Sequence, residues 1–164
     1  MLTTLLADLL THGAPGRVIN VSSGGMYAQR LPAADWQSER IDYSPARIYA
    51  RTKREQTAIT QLLARNLRDR GVRVHAMHPG LVDTPGTRRW MPAFRTIVAP
   101  IIRNAEQGAD TIVWLGSAPA AAQGNGLFWH DRRPRPTHCL LGAPQDSDGE
   151  RQQLWTYCQT LLHS

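Results

Sequence analysis

Lysine is almost missing from this chain. Of its 19 lysine and arginine residues only Lys53 is a lysine. A generic surface charge would have been met by arginine, so the compact, rotatable ammonium at position 53 marks a distinct chemical requirement. Cysteine is scarce as well. Cys139 and Cys158 make neither a CxxC pair nor a disulfide framework, and they read as free thiols in a reducing cytoplasm. No apolar run approaches the roughly 18 residues that a membrane span needs. Residues 1–10 carry Asp8 and no basic leader, so they do not read as a signal peptide. The six histidines are scattered. His75 and His78 stand three apart on a strand and point to opposite faces, no zinc spacing emerges, and no metal site is expected. A net charge of +6 would suit nucleic acid, but the arginines are dispersed among acidic residues and no aromatic-basic motif interleaves them. Nucleic-acid binding is therefore not expected.

What is present fits one globular domain. A length of 164 residues can enclose a real core, and 41% hydrophobic with 20% charged residues is the balance of a folded chain. The best-marked element runs from Ser44 to Gly71. Ser44 can cap, Pro45 suits the first helical turn, and Gly71 can end the segment in a left-handed conformation. Ile59, Leu62, Leu63 and Leu67 recur at helical spacing and turn one face inward. Tyr49 and Lys53 lie four apart and share a face of that helix. A phenol ordinarily titrates near pH ~10, and a nearby ammonium favours its ionised form. The pair therefore makes a proton donor or acceptor suited to neutral pH.

The remaining elements follow in order. Leu2, Leu5, Leu6, Leu9 and Leu10 keep the helical period and predict an amphipathic helix ending at Gly13. The tripeptide 14–16 reads as a turn. Arg17 to Ser23 reads as a buried strand stopped by Gly24 and Gly25. Residues 26–43 are irregular and long for a connection, which favours a functional loop. Val72 to His78 is the next strand, closed by Pro79 and Gly80. Strand, helix and strand form a βαβ unit, hence a parallel sheet, whose ligands sit at the carboxyl ends of the strands. Ser22, Ser23 and the segment 79–84 fall at those ends, beside Tyr49. Residues 87–103, with Arg88, Arg89, Trp90, Met91 and Phe94, read either as a flap over a pocket or as a surface helix. Residues 105–115 are helical, 127–129 form a short strand, 132–148 read as a surface tail, and Leu154, Trp155, Cys158, Leu161 and Leu162 mark a terminal helix.

Taken together, the run 18–23, the Tyr49-xxx-Lys53 spacing and His78-Pro79-Gly80-Leu81-Val82-Asp83-Thr84 resemble the second half of a short-chain dehydrogenase/reductase. Segments 21–27, 78–86 and 105–114 resemble the member-12 subgroup of that family more closely, as does Arg132-Arg133-Pro134. The resemblance implies an α/β fold, a partial Rossmann-like doubly wound parallel sheet. It implies oxidoreduction of a carbonyl or alcohol with NAD or NADP. Tyr49 would exchange a proton with the substrate oxygen. Lys53 would assist it and hold the nicotinamide ribose. Ser23, rather than Ser22, would bond the substrate carbonyl, and Pro79, Gly80, Val82 and Thr84 would line the nicotinamide. Trp90, Met91 and Phe94 are compatible with a lipophilic substrate. The alternative is a non-catalytic fragment acting only through subunit pairing, for which the helices of residues 1–12 and 46–70 would be the surfaces.

The same resemblance exposes a gap. The family's first half carries a glycine-rich turn that brings backbone against a pyrophosphate at a helix N-terminus. Gly24-Gly25 is not that turn, and Gly124-x-Gly126 lacks the third glycine and the following helix. Residues 1–12 hold no asparagine, whereas the family places a catalytic one on the corresponding helix. The N-terminal dinucleotide-binding half is thus expected to be missing from this chain, its sheet edge to be open, and NADH binding by the chain alone to be weak or absent. The choice between NAD and NADP is not readable from what is present.

Overall fold

We analysed a computed structural model. It describes residues 2–12, 16–32, 34–90, 99–119, 124–138 and 146–163, with the backbone alone at residues 87, 90, 99 and 163. Met91, Phe94, Cys139 and most of the turn at 14–16 lie outside the described residues, as does the side chain of Trp90.

Strand β1, Arg17–Val21, is followed by a short 3₁₀ turn, Gly24–Ala28, and by the long helix α3, Pro45–Asn66. Strand β2 is Arg73–Met77. Two short helices, α1 at Leu2–Leu5 and α2 at Ala7–Leu10, precede β1. After β2 come α4, Pro85–Trp90, and α5, Ala105–Ser117. Then follow β3, Phe128–His130, β4, Arg133–Arg135, and the terminal helix α6, Asp148–His163. The sheet order is β1-β2-β3-β4. β1, β2 and β3 are mutually parallel, and β4 returns antiparallel to β3. No helix among the described residues is long and apolar enough to cross a membrane.

The sheet is covered on both faces. Val18 and Val74 meet Leu63 and Ala64 of α3, and Leu67 just beyond its end, on one side. Ile19 and Met77 meet Ile112 and Leu115 of α5 on the other. Strand alternation produces this division, since neighbouring side chains point to opposite faces. The α3 boundaries agree with the sequence signals: Pro45 occupies the first turn and Gly71 takes φ +73° after a 3₁₀ turn at Arg68–Arg70. Ser44 occupies the capping position, yet its side chain makes no capping bond.

Two expectations are corrected. The surface tail contains β4, although Arg133, Pro134 and Arg135 are all exposed and carry no strand pattern of their own. Pairing with β3 supplies the order that the tripeptide lacks. The N-terminal leucine stripe is also only partly used. The helix breaks at Leu6, and Leu2, Leu5 and Leu9 remain 70%, 69% and 67% exposed. Ala7 and Leu10 alone reach the α3 cluster, because nothing among the described residues packs on the far side.

β1 is an open edge. Gly16 O accepts from Arg73 N and Ser22 N donates to Met77 O, so the even-numbered residues of β1 bond to β2. The backbone groups of Arg17, Ile19 and Val21 therefore face outward.

Candidate active site

Three stretches meet at the carboxyl end of the parallel strands: Ser22 to Gly25 after β1, Tyr49 and Lys53 near the start of α3, and 78–84 after β2. Ser22 is buried, and its hydroxyl is committed to Lys53 O at 2.9 Å and to Thr57 Oγ1 at 3.2 Å. Its role is to seat α3 on the strand end. Ser23 turns the other way. Its Oγ accepts from Gly25 N at 3.1 Å, which closes the 3₁₀ turn and leaves its own O–H available to a ligand.

Tyr49 is 51% exposed. Lys53 Nζ lies 5.8 Å from the centre of the Tyr49 ring, as i, i+4 spacing requires. The ammonium donates to Val21 O at 2.9 Å and to Gln56 Oε1 at 3.3 Å. An ammonium has three donors, so one N–H stays uncommitted. A Cβ placed on Gly25 would sit 3.4 Å from Ser23 Oγ and 3.6 Å from Tyr49 Cε1. The two hydroxyl-bearing residues thus flank one point, and glycine leaves that point open.

The 78–84 loop is held from beneath by Arg103, a residue that no motif spacing singled out. Its backbone bridges Leu81 and Asp83: Arg103 N donates to Leu81 O at 2.7 Å and Asp83 N donates to Arg103 O at 2.9 Å. Its guanidinium grips Asp131 with bonds of 2.5 and 2.9 Å and reaches Pro79 O at 3.4 Å. Gly80 adopts φ +81° over that side chain. Val82 pairs with Arg103 in an isolated parallel bridge and packs against Gly108 of α5. Arg103 lies some twenty residues downstream, with only the folded loop linking it to the site, so local sequence held no signal for it.

His78 also belongs here. Its Nδ1 accepts from Gly80 N at 3.3 Å, which places the ring proton on Nε2. The ring stacks on His130 with centroids 3.8 Å apart. Burial, followed by the neighbouring His130 and Arg103, pushes the imidazole down to about 4. Glu55, one turn beyond Arg51 on α3, moves the other way. Burial pushes its carboxyl up to about 7 against the attraction of Arg51, with Asp35 adding to the rise, and its Oε1 has no partner.

The two shifts have opposite consequences. The folded chain binds fewer protons at His78 than the unfolded chain between pH about 4 and 6.5, so that contribution is present above 6.5 and is lost as pH falls through 4. At Glu55 the folded chain holds the extra proton, so its contribution is present below 4.5 and is lost as pH rises through about 7. We expect the unfolding free energy to change little between pH 4.5 and 6.5 and to fall towards pH 7. Glu55→Gln should turn this into a rise that levels off above 6.5. Urea titrations across this range test it, and superimposable profiles for the two proteins would refute the assignment.

The comparisons with known proteins bear on this arrangement. No protein-family model matches the chain. Dehydrogenase/reductase SDR family member 12 of Bos taurus is 44% identical over 155 residues, which is 94% of this chain and 48% of that protein. The chain belongs to the short-chain dehydrogenase/reductase family. Human retinol dehydrogenase 12 is 32% identical over 133 residues, covering 80% of this chain and 42% of that protein. Among solved structures of this family's fold, the 3-alpha-hydroxysteroid dehydrogenase from Pseudomonas sp. B-0831, complexed with NADH, has a TM-score of 0.62 at 21% identity. That match covers 77% of this chain and 58% of that one. The chain spans about half the length of the curated relatives it matches.

Proposed function

We propose that this chain carries the catalytic residues of an NAD(P)-dependent oxidoreductase that interconverts a carbonyl and an alcohol. The observation that supports the reading is that Ser23 and Tyr49 flank the open ground at Gly25, with the Lys53 ammonium 5.8 Å from the centre of the Tyr49 ring. The bound nicotinamide cofactor would supply or accept the hydride. The share of the protein is positional and protonic. The Tyr49 hydroxyl gives a proton to the substrate oxygen during reduction and takes it back during oxidation. The free O–H of Ser23 donates to the same oxygen and stabilises the charge that develops there. Lys53 stands one turn from Tyr49 and offers its spare N–H to the ribose.

The residues present fit the nicotinamide end of such a cofactor. Pro79, Gly80, Val82 and Thr84 form a loop that Arg103 and His78 keep rigid, at a strand end where α/β sheets receive ligands. A fit to the pyrophosphate is harder to find. A Cβ on Gly124 would strike Leu127 at 2.5 Å and one on Gly126 would meet Ala64 at 3.2 Å, so these glycines accommodate the chain's own side chains. Carbonyl or alcohol substrates with lipophilic bodies suit the reading. The exposed leucines of α1 and α2 favour a second role, pairing with another copy through the helices of 1–12 and 46–70.

The single lysine makes a direct test available. Limiting acetylation followed by mass spectrometry reports on Lys53, with the α-amino group as an internal control. Reduced nicotinamide mononucleotide at about 1–10 mM should slow acetylation of Lys53 several-fold and leave the α-amino group unaffected, whereas AMP should do nothing. NADH should protect no better than the mononucleotide. Protection by AMP alone, or none by the mononucleotide, would overturn the reading. Protection by NADH in the micromolar range would show that a pyrophosphate site exists after all.

A further inference from the structure

A cleft beside Lys53 lies apart from Tyr49. It measures about 410 Å³ and lies between α1, α3 and α6, and neither Tyr49 nor Ser23 lines it. That volume is in the range of small-molecule sites. Its two ends differ in chemistry. Lys53 and Gln56 stand at one end, while Ile59, Leu63 and Trp155 pack together as an apolar wall one to two turns further along α3.

The polar end is rich in donors and carries unbalanced charge. Lys53 has no carboxylate partner among the described residues, and its third N–H is uncommitted. Gln56 already spends its carbonyl oxygen on Lys53, so its amide N–H groups are what remains to offer. A half-buried ammonium without a counter-charge is costly, and an anion at that position would relieve the cost. Glu55 also lines the cleft. Its carboxyl, facing Arg51 and Asp35, is held largely protonated below about 7 and does not oppose an anion there.

We propose that this cleft binds an apolar carboxylate of medium-chain fatty-acid type, with its head on Lys53 and Gln56 and its chain against Ile59, Leu63 and Trp155. The site is distinct from the proposed substrate position, since neither Tyr49 nor Ser23 lines it, and the two share Lys53. An occupant here would take the spare N–H of Lys53 in place of the cofactor ribose.

The test uses the whole chain at about pH 6 and three probes of equal length: octanoate, octan-1-ol and octylammonium, titrated calorimetrically. Octanoate should bind roughly ten-fold more tightly than octanol, and octylammonium should not bind detectably. Lys53→Met should bring octanoate down to the affinity of octanol without abolishing either. Leu162→Trp, which narrows the cleft, should weaken both by roughly ten-fold and leave mononucleotide protection of Lys53 intact. Three outcomes would sink the proposal: octanol binding as well as octanoate, octanoate indifferent to Lys53→Met, or no octanoate binding below about 10 mM. Loss of mononucleotide protection with octanoate binding retained would count against the oxidoreductase reading alone.

Discussion

Arg54→Met is expected to lower the unfolding free energy by about 3–5 kcal/mol, the usual result of stranding one partner of a buried ion pair. Arg54 Nη2 lies 2.7 Å from Asp146 Oδ2, and the two side chains are only 3% and 7% exposed. The guanidinium also donates to Thr137 O and contacts Met26 Sδ at 3.3 Å. Asp146 in turn accepts from Leu31 N at 3.4 Å. One cation thus fastens three stretches, 26–31, 137 and 146, to the middle of α3. Methionine fills the volume but leaves the Asp146 carboxylate buried and alone. The double substitution Arg54→Met with Asp146→Leu should recover most of the loss, since an apolar pair of similar volume avoids desolvating two charges. Urea midpoints for the single and double variants close the cycle. A single variant within about 1 kcal/mol of the parent would show that water reaches this pair.

Gly80→Ala is the second large effect, and it acts at the candidate site. The residue sits at φ +81°, where an L side chain costs about 1–2 kcal/mol. The new methyl would also lie 2.8 Å from Arg103 Nε. Arg103 cannot swing aside cheaply, because Asp131 holds it with two bonds; losing that grip costs a further ~1.5–3 kcal/mol. The loop 79–83 should therefore exchange its amide hydrogens faster, and protection of Lys53 by the mononucleotide should fall. In an Arg103→Ala background the same glycine change should cost only its backbone share. Equal costs in both backgrounds would show that the methyl and the guanidinium never compete.

The parts of this fold that were legible in the sequence are those whose causes are local. Pro45, Gly71 and the leucines at 62, 63 and 67 mark α3 because turn geometry and helical period act over a few residues. The apolar runs of β1 and β2 and their glycine stops are equally local. The parts that were not legible depend on partners far along the chain. β4 exists only because β3 lies beside it. The exposed leucines of α1 and α2 follow from how little surface α3 offers them, which periodicity cannot reveal. The difference between Ser22 and Ser23 is not one of residue type or spacing. It arises because Thr57 and the Lys53 carbonyl claim the first hydroxyl and the 3₁₀ turn orients the second. Arg103 is the clearest case, a single arginine among many until Asp131 and the 79–83 loop converge on it.

The open edge of β1 has a thermodynamic consequence. Val21 presents its backbone to that edge, and its carbonyl is already taken by Lys53 Nζ at 2.9 Å. A strand that annealed along the full length of β1 would compete for that carbonyl and displace the ammonium. Extending the sheet and releasing the lysine are therefore linked equilibria, and linkage is reciprocal. Anything that draws Lys53 off Val21 makes the edge more receptive by the same free energy with which an added strand would make Lys53 more available. The only ammonium-bearing side chain of the chain is thus also the stopper at the end of its unpaired ladder.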